Sequence, residues 1–252
     1  MAQWVEAGLW GMLAGSALLI GAAIGMTFQV PTRWVAAVMA FGSGVLISAL
    51  SFDLMDDAFR RGGMVSTAVG FVAGAGIYTL LNIALAHHGA RHRKRSGPHQ
   101  PSEQSKPGSG LSIALGALLD GIPESIVIGL SLLQGGRVGS VVVVAIFLSN
   151  LPEGLSSAAG MKRAGRSPRY VYGVWGAIAL ASALAAIAGN VLYAGAPKTL
   201  VAATAAVAAG AILAMLADTM IPEAFEHAHD YAGLITGAGF LTAFTLSRLG
   251  GG

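Results

Sequence analysis

Cysteine is missing from all 252 residues, which rules out disulfides and thiolate metal sites and leaves the compartment open. Charge is the next scarcity. Asp, Glu, Lys and Arg make up 11% of the chain against 54% hydrophobic residues, and mean hydropathy is +0.68. A soluble domain carries roughly 25% charged residues, so this chain lacks the polar surface that would hold it in water and reads as a polytopic membrane protein. No Gly-rich nucleotide motif and no Ser, His, Asp order suited to a nucleophilic triad is evident, so no catalysis and no cofactor are expected. No stretch shows the repeated alternation that a transmembrane barrel needs. The expected fold class is all-α.

What is present is a series of apolar runs of about 20 residues, each enough to cross a bilayer as a helix. They fall at roughly 5–27, 33–58, 63–86, 111–134, 138–160, 169–194, 199–225 and 231–249. The sequence therefore predicts eight transmembrane helices, arranged 3+2+3, in a single domain spanning 1–252. Residues 1–10 contain Glu6 but no lysine or arginine and no evident cleavage site, so the first span reads as a helix rather than a signal peptide. The long polar interruption, 87–110, is rich in Arg, His, Ser, Pro and Gly and reads as a flexible cytoplasmic loop.

Lysine and arginine accumulate in cytoplasmic loops. With both termini outside, the inner loops hold Arg33, Arg91, Arg93, Lys94, Arg95, Lys106, Lys162, Arg163, Arg166 and Arg169, ten of the fifteen basic residues; Arg60, Arg61, Arg137, Lys198 and Arg248 lie outside. The expected location is a cell membrane, plasma or inner, crossed several times. The pI near 9.4 follows from these loops and calls for no nucleic-acid partner. The lipid bilayer and divalent ions are the partners expected, and homodimerisation stays open.

Two of the spans carry a proline followed at once by a glutamate: Asp120-Gly-Ile-Pro-Glu124-Ser and Ser149-Asn-Leu-Pro-Glu153-Gly. A carboxylate inside a bilayer is costly and marks a substrate path. Residues four apart share a helix face, so Asp120 and Glu124 project together, as do Ser149 and Glu153, with Asn150 one turn from Glu153. Proline cannot donate to the carbonyl four residues earlier, freeing the oxygens of Leu119 and Leu148 beside those side chains. Oxygens on two kinked helices suit a divalent cation. The second span also aligns without a gap on the seventh, Gly44 to Phe59 over Gly210 to Phe225, placing Asp57 on Glu223. Helices of opposite sense that match in this way are expected of an inverted repeat in an alternating-access carrier.

On these residues the fourth and fifth spans resemble the Zrt/Irt-like (ZIP) metal transporters, whose matching helices carry His-Asn-x-Pro-Glu-Gly-like motifs. The likeness extends to eight spans, a His-containing loop after the third, outward termini and a seventh helix ending in an acidic Pro-Glu-Ala. It implies a binuclear metal site between the fourth and fifth helices and uptake toward the cytoplasm. Both motif histidines are replaced, by Asp120-Gly121 and Ser149-Asn150. Carried over by position, the metal ligands are Asp120, Glu124, Asn150 and Glu153, with Ser149 a weak addition. Losing imidazole moves preference from zinc alone toward a broader set that includes Mn²⁺ and Fe²⁺; the expected cargo is a divalent ion, Zn²⁺, Mn²⁺, Fe²⁺ or Cd²⁺.

Along the path, Asp53 and Asp57 lie four apart toward the outer end of the second span and could gather cations. Asp218 and Glu223 line the expected exit. His227 and His229 either take a metal as it leaves or belong to a polar interhelical loop. The sequence thus predicts a divalent metal transporter with a carboxylate-rich site between helices 4 and 5, the alternative being a metal-sensing or scaffold membrane protein of the same fold.

Overall fold

The computed structural model describes residues 1–96, 98–133 and 140–250. Arg137 and the junction between the fourth and fifth expected spans lie outside them. Among the described residues there is no strand. The helices are α1 (Gln3–Thr27), α2 (Thr32–Ala49), α3 (Met55–Leu85), α4 (Ser109–Leu133), α5 (Ser140–Arg163), α6 (Pro168–Leu192), α7 (Lys198–Met215), α8 (Ile221–Ala228) and α9 (Ala232–Gly250).

Among the described residues six helical stretches are long and apolar enough to cross a membrane: Gln3–Thr27, Thr32–Ala90, Ser109–Leu133, Val142–Arg163, Pro168–Leu192 and Lys198–Leu249. Two of them, of 59 and 52 residues, far exceed the roughly 20 residues of one crossing. Each contains a break in helical backbone. Gly63 sits at φ 73, ψ 172, a conformation open to glycine and strained for other residues. His229 sits at φ 40, ψ −117 between α8 and α9. Large side chains such as Leu80, Leu184 and Leu234 face outward, as in a multi-pass membrane protein.

Local chemistry explains several ends and bends. Ser167 caps α6 by accepting from the Tyr170 N–H, with Pro168 in the first turn. Pro123 and Pro152 lie inside α4 and α5. Wider π turns follow α2 at Leu50–Leu54, α3 at Ala86–Ala90 and α7 at Leu216–Met220. Such turns occur often at functional sites, because the extra residue redirects the side chains around it.

Packing is by pairs. α3 lies along α7, α2 along α9, and α1 along both α5 and α6, while α6 also covers α4. Glycine allows the closest of these approaches. A Cβ on Gly74 of α3 would run into the Val207 carbonyl of α7, and one on Gly210 of α7 into the Phe71 carbonyl of α3. The α2/α9 pair repeats this: Gly44 abuts the Thr236 carbonyl and Gly239 the Phe41 carbonyl. Backbones that meet through small residues gain dispersion contacts unavailable to bulkier side chains. In the ungapped alignment of the second span on the seventh, Gly44 falls on Gly210, and the π turn Leu50–Leu54 falls on Leu216–Met220 residue for residue.

Candidate cation site

The two Pro-Glu helices deliver their carboxylates to one buried spot. Asp120 and Glu124 on α4 are each 1% exposed and Glu153 on α5 is 4% exposed. Glu124 feels the charge of both Glu153 and Asp120, and its Oε1 has no hydrogen-bond partner. Like charges so close in a low dielectric repel strongly, and a neighbouring cation relieves that repulsion.

That cation comes from the chain itself. After α3 the Ala86–Ala90 turn, with Gly89 at φ 108, sends the basic segment at 91–96 back between the helices. Arg93 grips Asp120 with both arms of its guanidinium: Nε donates to Oδ2 at 2.8 Å and Nη2 to Oδ1 at 2.7 Å. The Tyr78 hydroxyl donates to Asp120 Oδ1 at 2.6 Å and accepts from Arg93 Nη2 at 2.8 Å. Arg93 Nη1 donates to Asn82 Oδ1 at 2.8 Å, and Asn82 Nδ2 donates on to Asp218 Oδ2 at 3.2 Å. Forked charge-assisted bonds of this kind are among the stronger contacts available to a buried carboxylate.

Lys94 bridges α4 and α5. Its ammonium lies 2.8 Å from Glu153 Oε2 and 3.3 Å from Asp120 Oδ2, pairing with both carboxylates at once. Ser96 completes the insertion by donating its N–H and its hydroxyl to Glu223 Oε1 at 2.8 and 2.5 Å. Ser156 shares that oxygen at 3.2 Å. Arg95 lies 3.5 Å from Glu223 and pairs with Glu226. The backbone of the segment is tied to α5: Ser156 donates to the Lys94 carbonyl, Arg163 to the Ser96 carbonyl, and Gln100 Nε2 to the carbonyls of Arg93, Arg95 and Ser157. Two glycines open the slot. A Cβ on Gly116 would strike Arg93 Nε at 2.9 Å, and one on Gly160 would run into the Arg95 carbonyl.

The remaining expected residues sit in different surroundings. Ser149 donates to the Ile146 carbonyl of its own helix at 2.9 Å, and Asn150 turns its amide toward the Ala14 carbonyl of α1 at 3.0 Å. Asp53 accepts from Ser247 at 2.9 Å, and Asp57 from Arg61 at 2.5 Å. Each keeps one buried oxygen without a partner, and both line a cavity of about 30 Å³ bounded also by Leu54, Val127 and Leu130. That is room for about one water. His227 has a buried Nε2 without a partner, whereas His229 is exposed and meets Phe225 edge-on.

No family model matches the chain, and no curated protein matches it. Among the described residues no group of three or more His, Asp and Glu side chains is disposed to hold a metal ion. The carboxylates of the two Pro-Glu motifs converge, and the 93–96 segment links them to Glu223 and, through Asn82, to Asp218. What stands among them is Arg93 and Lys94.

The polar loop was legible as basic, but not as inserted. Its centre is buried, with Arg93 1% and Lys94 3% exposed. The available signal was the unbroken Arg93-Lys94-Arg95 run in a chain with so few charges, together with the unpaired carboxylates of two spans that needed counter-charge. Tyr78, Asn82 and Ser156 gave no signal, since single polar residues within apolar helices ordinarily satisfy themselves on their own backbone.

Proposed function

We propose that this chain is a carrier of divalent metal ions, with Asp120, Glu124 and Glu153 as the cation site and Asp53, Asp57, Asp218 and Glu223 along the path. The observation that carries the proposal is the meeting of three buried carboxyl groups from two proline-bearing helices around a single bridging cation. A site that holds an ammonium between Asp120 and Glu153 offers hard oxygen donors, which suit Mn²⁺ best and also accept Zn²⁺ through carboxylate oxygen; Fe²⁺ and the softer Cd²⁺ follow as weaker cargo. Cargo moves toward the cytoplasm and no bond is made or broken.

We assign eight crossings to the chain by dividing the two longest helical stretches at Gly63 and His229, giving a 3+2+3 order with both termini outside the cell or inner membrane. Support for an inverted repeat comes from the paired glycine contacts of α3/α7 and α2/α9 and from the matching π turns. With this topology Asp53 opens outward and Glu223 inward, the two mouths of alternating access. His227 and His229 flank the inner mouth.

A second proposal has its own observation. Arg93 and Lys94 neutralise the carboxylates permanently if the loop never leaves, and the protein then keeps the fold of a ZIP-like carrier as a sensor or scaffold without turnover. Liposomes separate the two. Uptake of Zn²⁺, Mn²⁺, Fe²⁺ or Cd²⁺ by the reconstituted chain, lost in Glu124→Ala/Glu153→Ala, is the outcome expected of a carrier. No uptake of any of the four by the wild type overturns it.

A further inference from the structure

Resting on the metal-site proposal above, we infer that residues 93–96 form a tethered plug whose side-chain cations occupy the positions a metal ion would take, so that metal and loop compete for Asp120 and Glu153.

The inserted charges answer the carboxylates in order. Arg93 takes Asp120, Lys94 lies between Asp120 and Glu153, and Arg95 lies beside Glu223 and Glu226. The fit is built in from the receiving side: Gly116 and Gly160 lack the side chains that would fill the slot, and Gln100 with Ser156 fastens the loop backbone. A mere positive-inside anchor would place these residues at the water interface, where basic side chains lie against lipid headgroups. Here Arg93, Lys94 and Ser96 are no more than 3% exposed.

The contacts differ in kind along the segment. Arg93 and Ser96 are each held by two or more directed hydrogen bonds, whereas Lys94, at the bridging position, is held as a single ammonium shared between two carboxylates at 2.8 and 3.3 Å. A dication between the same oxygens carries twice the charge of the ammonium and binds carboxylates directly. Lys94 is therefore the position at which metal gains most over the loop. When it is displaced, Ser96 and Arg95 lose their alignment on Glu223, and the inner mouth opens. Selectivity follows too. An ion must outcompete an ammonium already in the site, which favours divalent over monovalent cargo.

The cysteine-free sequence allows a direct test on the full chain in detergent. Mn²⁺ and Zn²⁺ binding is measured by equilibrium dialysis for wild type, Lys94→Met and Glu153→Gln. Separately, maleimide labelling of Ser96→Cys is timed with and without Mn²⁺, using Ser105→Cys as the exposed standard. Expected are at least tenfold tighter metal binding by Lys94→Met than by wild type, weaker binding by Glu153→Gln, and slow labelling of Ser96→Cys that Mn²⁺ accelerates at least tenfold. Should Lys94→Met fail to fold, the labelling of Ser96→Cys in the presence of Mn²⁺ decides alone. Equal metal affinity in wild type and Lys94→Met, or labelling of Ser96→Cys as fast as Ser105→Cys without metal, overturns the plug while leaving the metal site standing. No metal bound by any variant overturns the metal site and the competition with it.

Discussion

A guanidinium sealed within a helix bundle is tolerable only when its partner is sealed beside it. Arg93 and Asp120 meet that condition, so removing one should cost far more than removing both. Arg93→Leu is expected to destabilise the chain by about 3–5 kcal/mol, and Arg93→Leu/Asp120→Leu by much less, since the double change leaves no orphan charge. Melting of the four proteins of that cycle in detergent checks this; equal losses in the single and double variants would count against the pairing. His92, next in the chain, titrates with the loop. Burial, then the neighbouring Arg95, His99 and Arg91 charges, lower its pKa below the usual 6.5, with Glu223 opposing. Because the folded loop binds the proton less well than the open one, seating is favoured above pH 6.5 and weakens as pH falls below it. Relative to the exposed standard Ser105→Cys, which corrects for the falling thiolate fraction, Ser96→Cys is expected to label faster on acidification below pH 6.5, and an additional His92→Gln change to flatten that dependence. Glu103 behaves in the opposite range. Its bonds to Arg166 and to the Gly108 and Gly110 N–H groups draw its pKa down to about 2, so what it contributes to the loop persists above pH 4.5 and is lost only as pH falls toward 2.

At the scale of elements, glycine contacts set the spacing of the helix pairs. Gly210 lies against the Phe71 carbonyl, while Gly237 on α9 has nothing within 4 Å of where a Cβ would sit. Gly210→Leu is therefore expected to destabilise by at least about 1–3 kcal/mol through overpacking, and Gly237→Leu to stay within about 0.5 kcal/mol of wild type, both read from detergent melts. Gly116→Val acts on the slot rather than the bundle and is expected to speed labelling of Ser96→Cys. The helices themselves were legible in the sequence because apolar runs and Pro-Glu motifs are local patterns. The alignment of Gly44 on Gly210 was legible as well, and the structure adds that both glycines serve the same kind of close contact. The insertion at 91–96 was not legible. Its partners Asp120, Glu153 and Glu223 lie 26 to 128 positions away along the chain, and no periodicity encodes ion pairs over such distances. Nor do Ser149 and Asn150 announce from spacing alone that they turn to Ile146 and Ala14.

For the whole molecule, the repeat and the breaks at Gly63 and His229 make a claim about sides. Single cysteines at Gln29, Ser105 and Asp230 are expected to label from one face of a sealed vesicle, and those at Gly62 and Ala194 from the other. Labelling of Ala194→Cys from the same face as Gln29→Cys would sink the eight-crossing topology. Span count and basic residues propose that topology from the sequence; among the described residues it rests on dividing two of six long helical stretches at Gly63 and His229.

The sharing of Lys94 between Asp120 and Glu153 also has a kinetic meaning. A competitor fixed to the chain by a short linker cannot be diluted, and its effective concentration stays on the order of mM whatever the volume around it. Occupancy of the two carboxylates then depends on a ratio in which only the metal concentration varies. On the proposed competition the tether raises the metal concentration needed for half occupancy by a fixed factor: well below that concentration the tether holds the site, and well above it the same few atoms yield.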